Sequence, residues 1–431
     1  MNILVINSGS ATLKLDVLEI SPAAGQPRRM ARARVEQFGS AASVHFSLAE
    51  GRTLKETRTV PDHAAALHLF LDWLRRSPRE INNSTTSRAV PASISRGEHG
   101  EPLDIAAVGH RVVHGGSKFS AATLLTPEAL SELESLNALA PLHNPPALAG
   151  IRAARAVISP DVPMVAVFDT TFHRTLPEHA STYALPHELA RRHGLRRYGF
   201  HGLAHESMLR RYSELAGVPM SQANLITVQL GGGCSVAAIR EGRSVDTSMG
   251  FTPLEGLMMP TRAGDLDPGV LTTLLRHENL SPSALEDLLN RHCGLLGVSG
   301  RSADMRELLA VASDDARAAL AVEMFCYRVS KYVGAFLAAL GGAQAIVFGG
   351  GIGENSPPIR ARICERLAWF GLRLDAAKNL AAVGTDACLT DDTARLQAWV
   401  VAVDEAVLVA EQTAAAIENC TQRRARAEAL A

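Results

Sequence analysis

The sequence predicts an α/β protein made of two similar lobes with a central cleft. Apolar strand-like runs alternate with helix-like segments along the chain, as in α/β folds. The opening stretch "ILVINSGSATLKLDV" is echoed by "LITVQLGGGCSVAAI", each with a Gly/Ser turn between two apolar strands. A chain of 431 residues exceeds one ordinary core, so the echo indicates an internal duplication of one α/β unit.

The first part of the chain begins with a predicted hairpin of residues 2–8 and 13–20, followed by strand-like "ARARVEQFG" and "SVHFSLAE". Apolar residues at helical spacing predict a helix over 62–76. Residues 77–103 are polar and rich in Ser, Asn and Pro, which predicts a surface loop. "IAAVGHRVVHGG" predicts a strand that enters a glycine turn. "TPEALSELESLNALAP" predicts a helix capped by Thr126 with a proline at its first position.

The second part continues the alternation. "VPMVAVFDTTFH" predicts a buried strand whose C-terminal end delivers Asp169, and residues 224–245 predict a strand, a glycine turn and a strand. Residues 332–353 carry no charge over about the length that a bilayer requires. Gly341 and Gly342 divide this segment, so it predicts a buried helix followed by a buried strand, not a membrane span.

The net charge and the cysteine content limit which binding partners and which cellular compartment we expect for this protein. The net charge is −1, which offers no electrostatic attraction to nucleic acid or to an anionic membrane. The six cysteines lack CxxC spacing, so we expect free thiols in a reducing, cytoplasmic compartment. Met1 leads directly into a strand, and we therefore expect no secretory leader.

Three glycine-rich turns, "NSGSAT", "QLGGG" and "GGGIGEN", each follow an apolar strand. Such turns expose backbone N–H groups that bind anions. One of them alone is most simply a tight turn, but three together favour the phosphates of a nucleotide. The P-loop motif GxxxxGK[ST] and the dinucleotide fingerprint GxGxxG are both absent.

Isolated polar residues in apolar or Gly/Pro-rich surroundings form the second candidate set. They are Arg111 and His114 in "VGHRVVHGG", His143 in "APLHNPPAL", Asp169, His201 in "RRYGFHGLAHES", and Arg262 in "PTRAGDLDPG". Each could be purely structural. Arginines in such loops nevertheless grip carboxylates and phosphates through two hydrogen bonds, and the set favours phosphoryl transfer. A GxSxG elbow and an HExxH zinc motif are absent, and Cys234 has no basic neighbour in the sequence.

These stretches together resemble the acetate kinase family, the short-chain acyl kinases of the actin/hexokinase-like ATPase superfamily. Matching segments run in the family's order from residue 3 to about 413. The most specific are "DTSMGFTPLEGL" and "GIGENSP". The resemblance implies the actin/hexokinase-like fold, in which a ribonuclease H-like core is duplicated. It also implies lobes of residues 1–168 with 408–431, and of residues 169–407.

The resemblance implies a catalytic role for five residues. Arg111 and Arg262 would orient the acyl carboxylate and the moving phosphoryl group. His201 would donate to that phosphoryl group, with His143 in support. Asp169 would act near the metal and the acceptor oxygen.

It also implies the binding residues. Asn7 and Glu405 would hold Mg²⁺, which Mn²⁺ can replace. The acyl group would lie among Val113, Leu142, Phe200 and Pro253, with Arg111 binding its carboxylate. ATP would contact Ser10, Thr12, Lys14, Gln229, Leu230, Gly231, Gly232, Gly233, Asp304, Met305, Arg306, Gly351, Ile352, Gly353, Glu354 and Asn355.

The sequence departs from the family pattern at a few positions. The usual "HLGNG" is "QLGGG" here, so Gln229 replaces a His and Gly232 replaces an Asn. Pro260 stands where Gly is common, two residues before Arg262, and it fixes φ and removes a donor. The usual "NEE" is "DEA", and the downstream "LVAEQT" sets the register that assigns the metal role to Glu405.

The implied activity is reversible, Mg²⁺-dependent, in-line transfer of the γ-phosphoryl group of ATP to acetate, giving acetyl phosphate and ADP. A propionate or butyrate kinase stays open, because one methylene is worth only about 1–3 kcal/mol of discrimination. So does a non-catalytic nucleotide-binding switch on the same fold. The first lobe would carry the phosphate turn and the acyl site, and the second would carry nucleotide binding and the contact of a homodimer.

Overall fold

The chain divides between Thr171 and Phe172 and again between Asp404 and Glu405. The computed structural model describes residues 1–21, 27–75, 104–391 and 393–430. One unit comprises Met1–Thr171 and Glu405–Ala431, and the other comprises Phe172–Asp404. These divisions differ by three residues from the sequence-based boundaries, so Asp169 and Glu405 belong to the first unit. The segment 77–103, predicted to be a surface loop, lies outside the described residues.

The first unit is built on an eight-stranded sheet. Its strands are β1 (Asn2–Ser8), β2 (Thr12–Glu19), β3 (Arg28–Glu36), β4 (Gly39–Leu48), β5 (Thr53–Val60), β6 (Ile105–Val112), β7 (Thr123–Leu124) and β8 (Met164–Phe168). Their order is β5-β4-β3-β2-β1-β6-β8-β7. The predicted hairpin β1–β2 is confirmed, and β1, β6 and β8 are parallel neighbours. Strand β5 was not predicted, because its "TLKETRTV" is largely exposed and polar.

Three helices of this unit precede its C-terminal helix in the sequence: α1 (His63–Arg75), α2 (Pro127–Ser135) and α3 (Asn144–Val157). The first two were predicted, and α3 was not. The apolar face of α1 is buried in the core of the unit with the sheet residues. The hydroxyl of Thr126 accepts from the Ala129 amide at 3.2 Å and so caps α2 as predicted. Pro127 follows it at the first helical position.

The second unit is built on a six-stranded sheet. Its strands are β9 (Leu225–Leu230), β10 (Cys234–Arg240), β11 (Arg243–Thr247), β12 (Ala345–Gly349), β13 (Ala387–Cys388) and β14 (Gln397–Val400). Their order is β11-β10-β9-β12-β14-β13. Strands β11, β10 and β9 are antiparallel, and β9, β12 and β14 are parallel. The run β3-β2-β1-β6-β8 of the first sheet has the same pattern, as the predicted duplication requires.

Helices cover the rest of the second unit. They are α4 (Glu178–Ser181), α5 (His187–His193), α6 (Gly202–Ala216), α7 (Pro268–His277), α8 (Pro282–Arg291), α9 (Gly294–Ser299), α10 (Met305–Val311), α11 (Ala316–Leu340), α12 (Gly350–Asn355), α13 (Pro357–Glu365) and α14 (Ala376–Ala381). Helix α15 (Glu405–Leu430) returns the chain to the first unit. Short 3₁₀ helices lie at Leu136–Ala138, Thr171–Thr175, Met220–Gln222 and Ala368–Phe370.

The uncharged segment 332–353 is a helix and a strand, as predicted. It comprises the last nine residues of α11, all of β12 and the start of α12. Gly341 caps α11 with φ +72°, and Gly342 follows with φ +117°, the left-handed region that glycine tolerates best. Within the described residues, no helix combines the length and apolarity needed to span a bilayer.

A glycine lets α15 approach the first sheet closely. A Cβ placed on Gly109 of β6 would overlap Thr413 Oγ1 and lie 2.8 Å from Val409 Cγ1, both on α15. Side chains do not tolerate such contacts, so the helix can lie against β6 only where that strand carries glycine. Glu405 is the first residue of α15, so the packing of this helix against β6 also fixes where Glu405 lies.

We expect Gly150→Ala and Gly334→Ala to change stability in opposite directions. Both glycines lie inside helices, where alanine is favoured by about 0.5–1 kcal/mol. A Cβ on Gly334 meets nothing within 4 Å, whereas one on Gly150 of α3 would overlap Ser8 Oγ and lie 2.9 Å from Ser8 Cβ. Gly150→Ala should therefore lower the free energy of unfolding by about 1–3 kcal/mol, as overpacking does. Thermal unfolding of both variants measures the difference, and equal gains would show that α3 and Ser8 are not in contact.

Candidate active site

Three parallel strands of the first sheet bring polar side chains to one edge. Asn7 lies one residue before the end of β1, Arg111 one residue before the end of β6, and Asp169 directly after β8. Because β1, β6 and β8 are adjacent and parallel, their C-terminal ends meet. Glu405 at the start of α15 completes the group.

Arg111 is the centre of this cluster. Its Nε donates to Asp169 Oδ1 at 3.0 Å and its Nη2 to Asp169 Oδ2 at 2.6 Å, the two-bond geometry that arginine makes with carboxylates. Its Nη1 donates to Asn7 Oδ1 at 3.3 Å, and its Nε lies 3.3 Å from Glu405 Oε2. One guanidinium therefore gathers an amide oxygen and two carboxylates.

Burial and charge act in opposite directions on these groups. Burial raises the pKa of Asp169 to about 6 against the opposing effect of Arg111, and Glu405 raises it further. Burial alone would lower the pKa of Arg111, but Asp169 and Glu405 outweigh it and raise that pKa. Arg111 therefore stays charged, while Asp169 is poised to take up a proton in mildly acidic solution.

The turn between β1 and β2 is closed by its own backbone. The Gly9 amide donates to the Thr12 carbonyl at 2.8 Å, and Ser10 is exposed at the tip. Ser8 Oγ is buried with no hydrogen-bond partner among the described residues. Lys14 follows on β2, where burial lowers the pKa of its ammonium group. The turn thus presents hydroxyl groups and an amine beside the strand end that carries Asn7.

The "PLHNPP" turn is tied to the glycine turn after β6. The buried Asn144 accepts from the His114 amide at 3.1 Å and donates to the His114 carbonyl at 3.1 Å. His143 is the residue directly before α3, and its side chain is half-buried. Leu142 and Val113, the predicted acyl-site residues of this unit, are half-buried next to the two linked turns.

In the second unit, His201 lies immediately before α6 with φ +58°, a left-handed conformation that is costly for a side chain. Its Nδ1 lies 2.9 Å from Ser235 Oγ. A Cβ on Gly233 would lie 2.8 Å from His201 Cε1 and Nε2, and 3.8 Å from Arg262 Nη1. The glycine turn after β9 therefore lies next to His201 and Arg262, two of the residues that the sequence analysis named as candidates. Phe200, the residue before His201, was predicted to line the acyl group and is buried.

The loop that carries Arg262 is held by main-chain hydrogen bonds. The Arg262 carbonyl accepts from the Met259 amide at 3.1 Å, and the Pro260 carbonyl accepts from the Leu296 amide at 3.0 Å. Arg262 Nη1 donates to the carbonyl of the buried Pro253 at 3.2 Å. Burial lowers the pKa of the Arg262 guanidinium. The proline at 260 is thus accommodated with its carbonyl paired.

Two glycine-rich segments lie side by side because β9 and β12 are parallel neighbours. Gln229 pairs with Gly349 across this register, and a Cβ on Gly350 would lie 2.8 Å from Gln229 Nε2. Gln229 Oε1 is buried with no hydrogen-bond partner among the described residues. A Cβ on Gly232 meets nothing within 4 Å, so space alone does not demand glycine where the family has Asn.

The segment 351–355 lies within the short helix α12 and is braced from within the protein. Glu354 Oε1 accepts from the Gly350 amide at 2.9 Å and from the Val403 amide at 3.2 Å. These bonds engage the Glu354 side chain with main-chain amides. Its predicted contact with ATP remains a prediction.

A fully buried arginine, Arg360, supports the C-terminal end of α12. Its Nη1 donates to the carbonyls of Gly353 at 2.7 Å and Glu354 at 3.1 Å. Its Nη2 donates to the carbonyls of Asn379 at 2.8 Å and Ala382 at 2.6 Å, and its Nε to Asn379 Oδ1 at 2.9 Å. Removing these donors would leave buried carbonyls unpaired, at a cost of about 1–3 kcal/mol each.

The segment 304–306 begins α10. Asp304 accepts from the Arg306 amide at 2.8 Å as the helix cap, and Arg306 Nη2 lies 2.5 Å from the Asp304 carboxylate. Hydrogen bonds from Arg306 lower the pKa of Asp304. Both charged side chains pair with each other, and Met305 is buried.

The part of the chain that the structure describes contains no group of three or more His, Cys, Asp or Glu side chains arranged to hold a metal ion. The oxygens that surround Arg111 come from one amide and two carboxylates. Such oxygen donors are the ligands that Mg²⁺ prefers.

Comparison with known proteins identifies the family. The model of the acetokinase family matches residues 2–411. The acetate kinase of Solibacter usitatus is 46% identical over 418 residues, covering 96% of this chain and 97% of that protein. A crystal structure of Porphyromonas gingivalis acetate kinase superposes with a TM-score of 0.82 at 36% identity, covering 96% of this chain and 99% of the other. The chain belongs to the acetokinase family.

A Francisella tularensis propionate kinase structure is also similar, with a TM-score of 0.82, 33% identity, and 96% and 98% coverage of the two chains. Membership of the acetokinase family confirms the resemblance drawn from the motifs and the predicted α/β fold with two sheets. It also makes the chain a kinase that uses ATP and transfers phosphate to a carboxylate. A non-catalytic nucleotide switch is therefore not supported.

Sequence reasoning missed several residues that support this site. Hydrogen bonds connect His201 to Ser235, His205 and Thr227. Asn144 links two turns, and Arg360 supports α12. One signal was available in the sequence, since His201 and His205 are four residues apart, about the spacing of one helical turn. The partners of the other residues come from distant strands and helices, which spacing does not reveal.

We expect kcat/KM of this acetokinase-family chain to fall below about pH 6. Burial raises the pKa of Asp169 to about 6, and a proton there removes an acceptor from the Arg111 fork. A pH profile of kcat/KM for the carboxylate substrate measures the effect, and an acidic limb near pH 4 would contradict it.

Protonation of Asp169 does not destabilise the folded protein, so a loss of stability through this group cannot produce the same fall in kcat/KM at acidic pH. The folded-state pKa lies above the ordinary value of 3.8, so the carboxyl's contribution to stability is complete below that value. It is lost as pH rises through about 6. Unfolding measured at the same pH values supplies the control.

Proposed function

We propose that this protein transfers the γ-phosphoryl group of ATP to acetate, reversibly and in line, giving acetyl phosphate and ADP. The observation that carries the proposal is the Arg111 fork, a half-buried guanidinium that is paired with the carboxylate of Asp169 through two hydrogen bonds, the geometry in which arginine holds carboxylates. Family membership and relatives named acetate kinase support the same reaction.

Phosphoryl transfer asks the protein to position two anions and neutralise their charge. Arg111 and Arg262 are both half-buried cations, and each would hold one of the approaching groups, the acyl carboxylate or the moving phosphoryl group. His201 would donate to the phosphoryl oxygens, and His143 would assist. Asp169 would hold the Arg111 fork in plane beside the acceptor oxygen.

The oxygen cluster fits a Mg²⁺ ion, for which Mn²⁺ could substitute. Asn7 and Glu405 would hold it, with Asp169 close by, because their amide and carboxylate oxygens are donors of the kind that Mg²⁺ prefers. When bound, the ion would neutralise charge on the β- and γ-phosphate oxygens.

The nucleotide would lie along the glycine turns. In the first unit, the turn hydroxyls of Ser10 and Thr12 and the amine of Lys14 would contact its phosphates. In the second unit, residues 229–233 would contact the phosphates, and residues 304–306 and 351–355 the adenosine.

Acetate is proposed over longer acids because relatives up to 46% identical are named acetate kinase. The similar propionate kinase structure keeps propionate as the second candidate. Val113, Leu142, Phe200 and Pro253 would line the acyl group, and Val113 and Pro253 would limit its length.

A coupled ADP-release assay with Mg-ATP tests the reaction. It compares acetate, propionate and butyrate with a blank that contains no acid. We expect kcat/KM to be highest for acetate and the blank rate to be close to zero. A higher kcat/KM for propionate or butyrate would overturn the acyl assignment. No acid-dependent release would overturn the proposed function.

We expect Arg111→Ala and Arg262→Ala each to lower kcat/KM by about 10³-fold or more, several kcal/mol, as removal of phosphoryl clamps does. The exposed Arg276→Ala serves as the matched control and should leave kcat/KM unchanged. A variant of Arg111 or Arg262 with normal kcat/KM and normal thermal unfolding would disprove the role of that residue.

We further propose that the first unit carries the acyl site and the second the nucleotide site, and that the protein is a cytoplasmic homodimer joined through the second unit. The six cysteines are free thiols, which suits a reducing compartment. Sedimentation at several concentrations tests the dimer, and fractionation of the source cells tests the location.

A further inference from the structure

A chain of hydrogen bonds runs from the interior of the second unit to His201. Thr227 Oγ1 lies 2.8 Å from His205 Nδ1, His205 Nε2 lies 2.8 Å from Ser235 Oγ, and Ser235 Oγ lies 2.9 Å from His201 Nδ1. Strand β9 supplies Thr227, strand β10 supplies Ser235, and helix α6 supplies His205 one turn after His201. None of the three supporting residues is exposed to solvent.

The imidazole of His205 is neutral. Burial, together with the neighbouring His173 and His201, places its pKa well below the ordinary value. A neutral imidazole has one nitrogen that donates and one that accepts. The hydrogen bonds between Thr227 and His201 can therefore be oriented in only two ways. Either every group donates toward His201, or every group donates away from it.

The inner end of the chain decides the direction. Among the described residues, His205 is the one hydrogen-bond partner of Thr227 Oγ1. If protons ran away from His201, the Thr227 hydroxyl would accept from His205 and leave its own hydrogen buried without an acceptor, which costs about 1–3 kcal/mol. If they run toward His201, Thr227 donates to His205, His205 donates to Ser235, and Ser235 donates to His201 Nδ1. Every hydrogen of the three supporting side chains is then used.

A second buried histidine is held separately. His173 Nε2 donates to the Phe200 carbonyl at 3.0 Å, and its Nδ1 lies 2.8 Å from Ser244 Oγ. Its ring packs edge-on against His205, with centroids 5.6 Å apart. Neither of these two hydrogen bonds of His173 involves Thr227, His205, Ser235 or His201.

We propose that Ser235, His205 and Thr227 are positioning residues that set the tautomer of His201. Because Ser235 donates to Nδ1, the proton of the neutral ring is on Nε2. That Nε2 lies on the ring edge that faces Gly233, within the glycine turn proposed to hold phosphate. His201 is thus kept as a hydrogen-bond donor toward an anion, and accepting a second proton would require all three hydrogen bonds to reverse. The consequence for catalysis rests on the proposed function, but the tautomer does not.

Kinetics test the chain through its most remote member. Thr227→Val keeps the shape of the side chain and removes the hydroxyl, whereas Thr227→Ser keeps the hydroxyl. We expect Thr227→Val to lower kcat about three- to tenfold with little change in the KM for ATP or acetate, and Thr227→Ser to restore most of the loss. Ser235→Ala should lower kcat by about 10²-fold, as loss of one oriented donor does.

Ser244→Ala is the matched control, because it removes a buried Ser–His hydrogen bond outside the chain. Its kcat should stay within about twofold of the wild-type value. An equal loss of kcat in Ser244→Ala and Thr227→Val, or no loss in Ser235→Ala, would overturn the proposal.

Nitrogen-15 NMR of histidine-labelled protein reads the tautomer without turnover. The His201 signals are identified by their loss in His201→Gln. We expect a protonated Nε2 and an unprotonated Nδ1 in the wild type, and a mixture of tautomers in Ser235→Ala and Thr227→Val. A wild-type ring protonated on Nδ1, or an unchanged signal in both variants, would overturn the proposal. If the tautomer shifts as expected but His201→Ala keeps full kcat, the catalytic role proposed for His201 fails instead.

Discussion

The two hydrogen bonds between Arg111 and Asp169 are the constraint on which the first unit's site depends. A buried guanidinium is stable only when its donors are occupied and its charge is balanced. Asp169 meets both needs, while Asn7 and Glu405 occupy the remaining sides. This demand explains why three parallel strands end together here, and why β6 carries Gly109 so that α15 can approach. The fold positions three side chains around one cation.

The second unit solves a related problem with neutral groups. His201 adopts a left-handed backbone conformation and packs on a residue that must be glycine. Such strain persists only when the surrounding structure imposes it. Buried hydrogen bonds from Ser235 and His205 supply that support. Arg360 does the same for α12, where five donated hydrogen bonds replace the carboxylate partner that a buried arginine often has. Neighbouring side chains thus hold these glycine-containing segments in place.

Local patterns allowed much of the fold to be predicted. The hairpin β1–β2, the buried strands β8 and β12, and the capped helix α2 each depend on neighbours in the sequence, through alternation, turn chemistry and a threonine cap. Strand β5 was not predicted, because its side chains are mostly exposed and polar. Its position in the sheet depends on its pairing with β4. The duplication was visible because both units use the same Gly/Ser-tipped hairpin.

By itself the sequence determined the family and indicated the candidate site residues and several of the strands and helices, because these depend on residue type and short spacing. Only the tertiary structure decided which residues meet. Asn7, Arg111, Asp169 and Glu405 are separated by up to 398 positions along the chain and come together through strand pairing and the return of α15. The path from Thr227 to His201 likewise exists only because two strands and a helix pack with their polar side chains in register. Hydrogen bonds between such distant groups depend on three-dimensional position, which no local pattern of residues encodes.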